Sequence, residues 1–131
     1  MHPQPIESTP ITGGEIAAAR AAYGLTSADL AHVLGVNERT ARRWEAGTTH
    51  PNGAVAAEIH AIDARIDRLA DHLANQWDTA HSSGRSSALE LPETDDDIPA
   101  EWGRVTLGLV RVAAWRAHTR CGARFTRSLG V

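Results

Sequence analysis

The apolar positions of residues 25–51 are spaced as in two short helices that pack across a tight turn. The first helix is predicted over Ser27–Leu34 and ends at Gly35, a residue type favoured at helix C-termini. The second is predicted over 38–46, with Asn37 as its N-cap. The inward-facing positions of the pair are Leu30, Ala31, Leu34, Val36, Ala41 and Trp44. This arrangement is typical of a helix-turn-helix, whose second helix enters the DNA major groove.

An earlier helix is predicted over residues 13–23. Thr12 is placed to cap it, and Glu15, three residues on, completes a capping box. One face of this helix carries Ile16, Ala19 and Tyr23. We expect that face to pack on the helix-turn-helix pair. Tyr23 is interpreted as a core or rim residue, because no base that would activate it for catalysis is apparent in the sequence.

Apolar residues after Gly53 recur at alternating spacings of four and three, which is the a/d pattern of a helical seam. The seam consists of Val55, Ile59, Ile62, Ile66, Leu69 and Leu73, and Trp77 extends it. The pattern predicts one long amphipathic helix. A stripe this narrow needs a partner, which is either the same helix of a second chain or the C-terminal helix of this chain.

A C-terminal helix is predicted over residues 99–121, since Pro99 is a residue well suited to a first helical turn. One stripe of it completes the core or dimer seam with Trp102, Val105, Leu109 and Val112. Other apolar residues lie elsewhere on the helix, so it must be covered on more than one side. We expect it to pack on the long helix and on another subunit.

Residues 88–91 alternate between apolar and polar as in one short strand, for which we propose the same strand of a second chain as the mate. The predicted fold class is therefore all-α with one short strand. The predicted segments are a disordered N-terminus (1–11), a helix-turn-helix DNA-binding domain (12–52), a long amphipathic helix (53–80), a linker with an acidic turn (81–98), a C-terminal helical dimerisation region (99–121) and a basic tail (122–131).

Composition excludes several classes of protein. The chain of 131 residues has one cysteine, so neither an internal disulfide nor a cysteine zinc cluster can form. No apolar run approaches membrane-spanning length, and no signal-peptide pattern is apparent, so we expect a cytoplasmic protein with no membrane partner. All 13 basic residues are Arg, which, with the many Ala, indicates a GC-rich phage or actinobacterial source.

The net charge of −3 is not that of a protein that binds nucleic acid with its whole surface. The charges are unevenly distributed: residues 80–101 hold one Arg and six acids, whereas 102–131 hold six Arg and no acid. A DNA site must therefore be a local patch. The Arg-rich end from Arg116 to Arg127 either contacts phosphates as a disordered tail or neutralises the acids of residues 90–101.

The candidate DNA contacts lie on the outer face of the second helix of the pair and around its start. Arg reads guanine, Asn reads adenine and Glu accepts a hydrogen bond from cytosine. The predicted base-reading residues are Arg39 and Arg43, followed by Glu38 and Asn37. The predicted contacts to the DNA backbone are Thr26, Ser27, Thr40 and Arg42.

No catalytic or metal-binding pattern stands out in the sequence. His60 and His72 lie twelve residues apart, which is not the spacing of a helical metal pair. The consecutive acids Asp95, Asp96 and Asp97 lack the spacing of a calcium loop and are interpreted as a solvated turn. We therefore expect no enzyme activity, no metal and no cofactor.

From Leu25 to Pro51 the chain resembles the Xre/Cro, or lambda-repressor-like, helix-turn-helix family. The family pattern runs approximately L-T-x-x-x-L-A-x-x-L-G-V-s-x-x-T-v-x-x-W-E-x-G-x-x-x-P. The matching residues are Leu25, Thr26, Leu30, Ala31, Leu34, Gly35, Val36, Thr40, Trp44, Glu45, Gly47 and Pro51. Ser27 stands where the family usually has a Gln that contacts a phosphate. Excisionase and MerR-like winged helices share part of the pattern but usually lack the Glu-x-Gly after Trp44, so they rank second.

The order of segments is also similar to YdiL-like regulators and anti-CRISPR-associated (Aca) autorepressors, which share a P-x-x-W entry, here Pro99 to Trp102. The resemblance implies a homodimeric transcriptional regulator, most simply an (auto)repressor, bound to an inverted repeat of double-stranded DNA in a promoter. Two alternatives use the same scaffold. One is an antitoxin whose C-terminal half wraps a toxin, and the other is a module that binds a protein or RNA.

Overall fold

The chain folds as two compact units, Met1–Asp63 and Ala64–Val131. The computed structural model describes residues 10–84 and 88–127. In these residues it contains six α-helices and two short strands, which confirms the predicted, mainly all-α class.

Most of the segment predicted to be disordered, residues 1–11, lies outside the described residues. Its last residue, Ile11, is buried and belongs to the first core, because an isoleucine next to the first helix gains more from burial than from exposure. In the part of the chain that the structure describes, no helix is long and apolar enough to cross a membrane.

The first unit consists of helices α1 (Gly13–Ala22), α2 (Ser27–Leu34), α3 (Glu38–Glu45) and α4 (Gly53–His60). Each helix is capped by a side-chain oxygen that accepts from the backbone N–H three residues on; the caps are Thr12, Thr26, Asn37 and Asn52. The predicted span of α2 is confirmed. The predicted ends of α1 and α3 each lie one residue too far, at positions that serve as C-caps.

The core of the first unit lies between α1, α2 and α3. Five of the six predicted inward residues are buried: Leu30, Ala31, Leu34, Ala41 and Trp44. Val36, in the turn, is only half-buried. Ile11, Ile16, Leu25 and Val33 complete the buried apolar set before α4. The sequence therefore places its small and large apolar residues where two crossing helices need them.

Helix α1 begins directly against the end of α3. A methyl group added at Gly13 would overlap the carbonyl oxygen of Glu45 and lie 2.8 Å from that of Trp44. Only glycine allows the two backbones to approach this closely. The first and third helices are thus locked together by backbone contact as well as by side chains.

The predicted continuous helix over residues 53–80 is wrong. Helix α4 ends at His60, and α5 (Ile62–Ser82) begins after Ala61. The N–H of Ala61 donates to both Ala57 and Glu58, which tightens the last turn of α4 and interrupts the regular ladder. Ile59 and Ile62, on the two sides of the break, are both buried. The heptad pattern therefore continues across the break, and the pattern alone cannot distinguish two helices from one straight helix.

The second unit contains the rest of α5, strand β1 (Leu89–Leu91), helix α6 (Leu107–Cys121) and strand β2 (Phe125–Arg127). The prediction that the last helix starts at residue 99 is wrong. Ala100–Trp102 form a single 3₁₀ turn, and Gly103, with a φ of 79°, ends it. Thr106 then caps α6 by accepting from the N–H of Leu109.

The short strand predicted at 88–91 forms, but its predicted mate is wrong. β1 pairs in parallel with β2 of the same chain, with Leu89 opposite Phe125 and Leu91 opposite Arg127. Parallel strands need a crossover connection, and α6 lies in that connection. The strand therefore needs no second chain.

The segment predicted as a basic tail, residues 122–131, contains strand β2. The guanidinium of Arg127 donates two hydrogen bonds of 3.1 Å to Glu93, one of the acids in residues 90–101. This bond holds the pKa of the Glu93 carboxyl below its usual value. Arg127 therefore agrees with the second interpretation of the Arg-rich end, in which its arginines neutralise the acids of residues 90–101. Residues 128–131 lie outside the described residues.

The residues named as a core or dimer seam are mainly core residues of one chain. Those that are buried are Ile59, Ile62, Ile66, Leu69, Leu73, Trp77, Val105 and Leu109. Val55, Trp102 and Val112 are half-buried. Asp67 of α5 joins the two long helices of the second unit, because its carboxylate accepts hydrogen bonds from Arg116 and Arg120 of α6 at 2.9 and 2.7 Å.

Candidate nucleic-acid interface

Helix α3 has one buried face and one cationic face. Ala41 is fully buried and Trp44 is 6% exposed, which fixes the rotation of the helix in the first unit. Arg39, Arg42 and Arg43 are consequently exposed. In a helix-turn-helix, side chains on the outer face of the second helix contact the base edges in the major groove.

The three arginines are not equivalent. Arg42 forms an ion pair with Glu38, one helical turn earlier, and 69% of the Arg42 side chain is exposed. Within the described residues, Arg39 and Arg43 form no ion pair. An exposed pair on one helix is worth only about 0.5 kcal/mol, so Glu38 and Arg42 can separate to contact DNA, whereas Arg39 and Arg43 are available without any rearrangement.

Asn37 is committed to the helix cap. Its amide oxygen accepts from the N–H of Thr40 at 2.8 Å and from the Thr40 hydroxyl at 2.9 Å. The bidentate contact with adenine needs that same oxygen as an acceptor. While the cap is intact, a DNA contact by Asn37 would therefore use its NH₂ group. The Thr40 hydroxyl already donates its hydrogen to Asn37.

The predicted backbone contacts at the start of α2 differ in the same way. The Thr26 hydroxyl oxygen accepts from the N–H of Asp29 at 3.1 Å, which leaves its own hydrogen for a phosphate oxygen. The Ser27 hydroxyl instead donates to a carboxylate oxygen of Glu45 at 3.2 Å. Of these two residues, Thr26 is the one whose hydroxyl hydrogen would be available to a phosphate.

Glu45 is the residue at this site that the sequence interpretation missed. Its side chain is 14% exposed and accepts from Nε of Arg20 at 2.9 Å as well as from Ser27. Arg20 also donates to the carbonyl oxygen of Leu25 at 3.1 Å. One carboxylate thus joins α1, α2 and α3, and fixes the position of the cationic face of α3.

A signal for this role was present in the sequence. Glu45 is an acid in the last turn of α3, where the helix dipole disfavours negative charge. An acid at that position needs a cation or hydrogen-bond donors from another element. The Trp-Glu-x-Gly pattern, in which Glu45 was recognised, does not by itself report this need.

Outside the first unit, the histidines lie beside aromatic rings. His72 packs edge-on to Trp102 with ring centroids 6.0 Å apart, and His81 stacks on Trp77 at 5.5 Å. Across residues 10–84 and 88–127, no three side chains of His, Cys, Asp or Glu are grouped to hold a metal ion.

The fold of the first unit, with a cationic helix presented by two supporting helices, defines a helix-turn-helix DNA-binding domain. Residues 16–62 match the family described as Helix-turn-helix, and this segment belongs to its Xre/lambda-repressor-like type. The match supports a DNA-binding regulator of the Xre type, and the matched family is one of regulatory DNA-binding domains. A comparison with curated proteins found no match. The family match ends at residue 62, so the likeness of the later segments to YdiL-like and Aca regulators stays a prediction.

Proposed function

We propose that this protein is a sequence-specific transcriptional repressor that binds an inverted repeat in a promoter as a homodimer, with its own promoter as the first candidate. The observation that carries the proposal is the outer face of α3. Among the described residues, Arg39 and Arg43 are exposed there without ion-pair partners, on a helix held in place by Ala41, Trp44 and Glu45.

In the proposed complex α3 lies in the major groove, and Arg39 and Arg43 donate bidentately to guanine O6 and N7. Arg42 leaves Glu38 for a phosphate, and Glu38 is then able to accept from cytosine. Thr26 donates to a phosphate at the start of α2. Repression follows because a promoter occupied in this way excludes the polymerase.

The geometry changes the ranking of the minor contacts. Asn37 and Thr40 bond to one another, and Ser27 bonds to Glu45, so these three residues contribute mainly to the shape of the domain. Any phosphate contact by Ser27 or Thr40 requires its hydroxyl to change partner. Arg39 and Arg43 remain the proposed specificity residues.

Substitution of either arginine tests the proposal. Arg39→Ala or Arg43→Ala is expected to weaken binding to the specific site by about 1–3 kcal/mol and to relax selection at one base position of each half-site. The measurement is fluorescence anisotropy on the site selected from random DNA and on point variants of it. Arg68→Ala, which removes an exposed Arg of α5, is the matched control and should change neither quantity. Equal losses on specific and random DNA would contradict the base-reading role.

The RNA alternative loses support from the same kind of evidence. It relies on the Arg-rich end, yet Arg116 and Arg120 bond to Asp67, and Arg127 bonds to Glu93. Three of its cations are thus already paired with carboxylates. The antitoxin alternative would require co-purification of a second, small chain, and no contact among the described residues requires one.

A further inference from the structure

Trp115 stands out on the surface of the second unit. The residue is 66% exposed, whereas the other large apolar residues in the described part of the chain are buried or half-buried. It lies near the middle of α6 (Leu107–Cys121) and stacks on His118, with ring centroids 5.5 Å apart. Tryptophan is enriched at protein interfaces, so an exposed tryptophan marks a candidate contact surface.

A groove lies beside this indole. Its volume is about 320 Å³, and its walls are formed by Leu91, Arg111, Ala114, Trp115, His118 and Phe125. The apolar part of the lining comes from both α6 and the small sheet. A projecting indole next to an apolar groove is self-complementary, because each can receive the other from a second copy across a two-fold axis.

Unpaired charges of opposite sign lie at the two ends of α6. At its start, Asp95 accepts weakly from the N–H of Leu107 at 3.4 Å, so the acidic turn lies there, and the neighbouring Asp96 is exposed. Past its end, Arg124 is exposed. Among the described residues, neither Asp96 nor Arg124 has an ion-pair partner. A helix of 15 residues is about 22 Å long, so one end cannot neutralise the other within a chain.

We propose that α6 is the homodimer interface: two copies pair antiparallel about Trp115, each indole enters the groove of the other copy, and Asp96 lies near Arg124 of the second copy. This inference rests on the proposed function in requiring a dimer and adds the surface that makes it. Antiparallel pairing also places opposite ends of the two helix dipoles side by side.

The register about Trp115 avoids like charges. Positions equally far from residue 115 on either side face one another, so Arg111 meets Thr119, and Gly108 meets Gly122 of the second copy. Two indoles bury only about 300–500 Å². A standard interface buries roughly 1,600 Å², so the flanking face of α6 and the charge pairs at its ends must contribute the rest.

Sedimentation equilibrium of the full chain tests the surface. The wild type is expected to be a dimer, and Trp115→Ala to raise the dimer dissociation constant about thirtyfold or more, as for aromatic hot spots. Trp115→Phe, which keeps an aromatic ring, is the matched control and should stay close to the wild type, with circular dichroism confirming the fold of both variants. A monomeric wild type, or a Trp115→Ala dimer as tight as the wild type, would overturn the proposal.

A charge exchange between chains tests the orientation. Arg124→Glu and Asp96→Arg should each weaken self-association, because each places like charges at both ends of the interface. An equimolar mixture of the two variants should associate more tightly than either alone, since the mixed dimer restores both opposite-charge pairs. A mixture no tighter than its components would overturn the antiparallel arrangement.

The same samples separate this inference from the proposed function. A monomer that still prefers one DNA sequence over random DNA would overturn the interface and leave sequence-specific binding standing. A dimer that depends on Trp115 but has no sequence preference would support the interface and contradict the proposed function.

Discussion

At the scale of single residues, the first unit depends on Glu45 more than on any pair of exposed charges. Its carboxylate is mostly buried and accepts from Arg20 and Ser27, which lie on two other helices. By contrast, Glu38 lies on the outer face of the same helix, and its bond within the described part of the chain is to Arg42 of that helix. The two glutamates therefore provide a comparison between a tertiary anchor and a surface ion pair.

Glu45→Ala is expected to lower the free energy of unfolding by about 2 kcal/mol, because it leaves Arg20 and Ser27 without their acceptor. Glu38→Ala should lower it by no more than about 0.5 kcal/mol. Urea unfolding followed by circular dichroism measures both. Equal effects of the two substitutions would show that Glu45 does not join the helices.

Residue-level prediction from the sequence succeeded where the signal is local. The caps Thr12 and Asn37 follow from residue type and position alone, since the bonded N–H is three residues away. The role of Glu45 depends on Arg20, 25 residues earlier, and no short pattern reports such a contact. Asn37 could not be assigned to the cap or to DNA without its geometry.

At the scale of elements, the contact between α1 and α3 is set by a glycine. Gly13 opens α1 against the carbonyl oxygens of Trp44 and Glu45. A methyl group at Gly14, the next residue, would have no neighbour from another part of the fold closer than 3.9 Å, the distance to the Thr12 hydroxyl oxygen. Of these two adjacent glycines, Gly13 faces the backbone of α3, whereas Gly14 has room for a side chain.

Gly13→Ala is expected to destabilise the first unit by about 2 kcal/mol or more, because a methyl group cannot fit against two backbone oxygens. Gly14→Ala should be neutral or stabilising by up to about 1 kcal/mol, as alanine favours helix over glycine. Thermal unfolding of the two variants gives the comparison. A Gly13→Ala protein as stable as the wild type would contradict the close approach of the helices.

The predicted boundaries of helices were accurate where the sequence contains strong local signals for a helix start and a helix end. Helix α2 was predicted in full, because a capping box opens it and Gly35 closes it in the left-handed conformation, at φ 70°. The start of α6 was predicted eight residues too early, since the apolar stripe continues through Gly103 and Thr106. The mate of β1 lies beyond α6, and pairing over that separation leaves no trace in local alternation.

At the scale of the whole molecule, the sequence predicted the heptad seam and left two partners for it open, a second chain and the C-terminal helix of the same chain. A periodic apolar stripe predicts that one side of a helix is buried, but it does not indicate which chain covers that side. The burial of Ile66, Leu69 and Leu73 within one chain leaves the exposed face of α6, around Trp115, as the candidate for association. The second unit is further joined by the bonds of Asp67 to Arg116 and Arg120.

These bonds predict a pH dependence of stability. Hydrogen bonds from Arg120 and Arg116 hold the pKa of Asp67 below its usual value. A lowered folded-state pKa contributes stability above the unfolded pKa of about 3.9, and that stability is lost as the pH falls further. Between about pH 5 and pH 2.5, the melting temperature should therefore fall less for Asp67→Asn than for the wild type.

The control for this series is Asp78→Asn, an exposed Asp of α5 for which the structure shows no Arg contact among the described residues. It should keep the acid sensitivity of the wild type. Identical melting curves for Asp67→Asn and the wild type across the acid range would rule out the proposed contribution.

Sequence-specific regulation is tested most simply by a titration of the wild-type protein against DNA from upstream of its gene and against random DNA, at two salt concentrations. We predict a preference of roughly a thousandfold or more for one palindromic site, at both salt concentrations. Equal affinity for the two DNAs, falling steeply with salt, would reflect phosphate attraction alone and would contradict sequence-specific regulation.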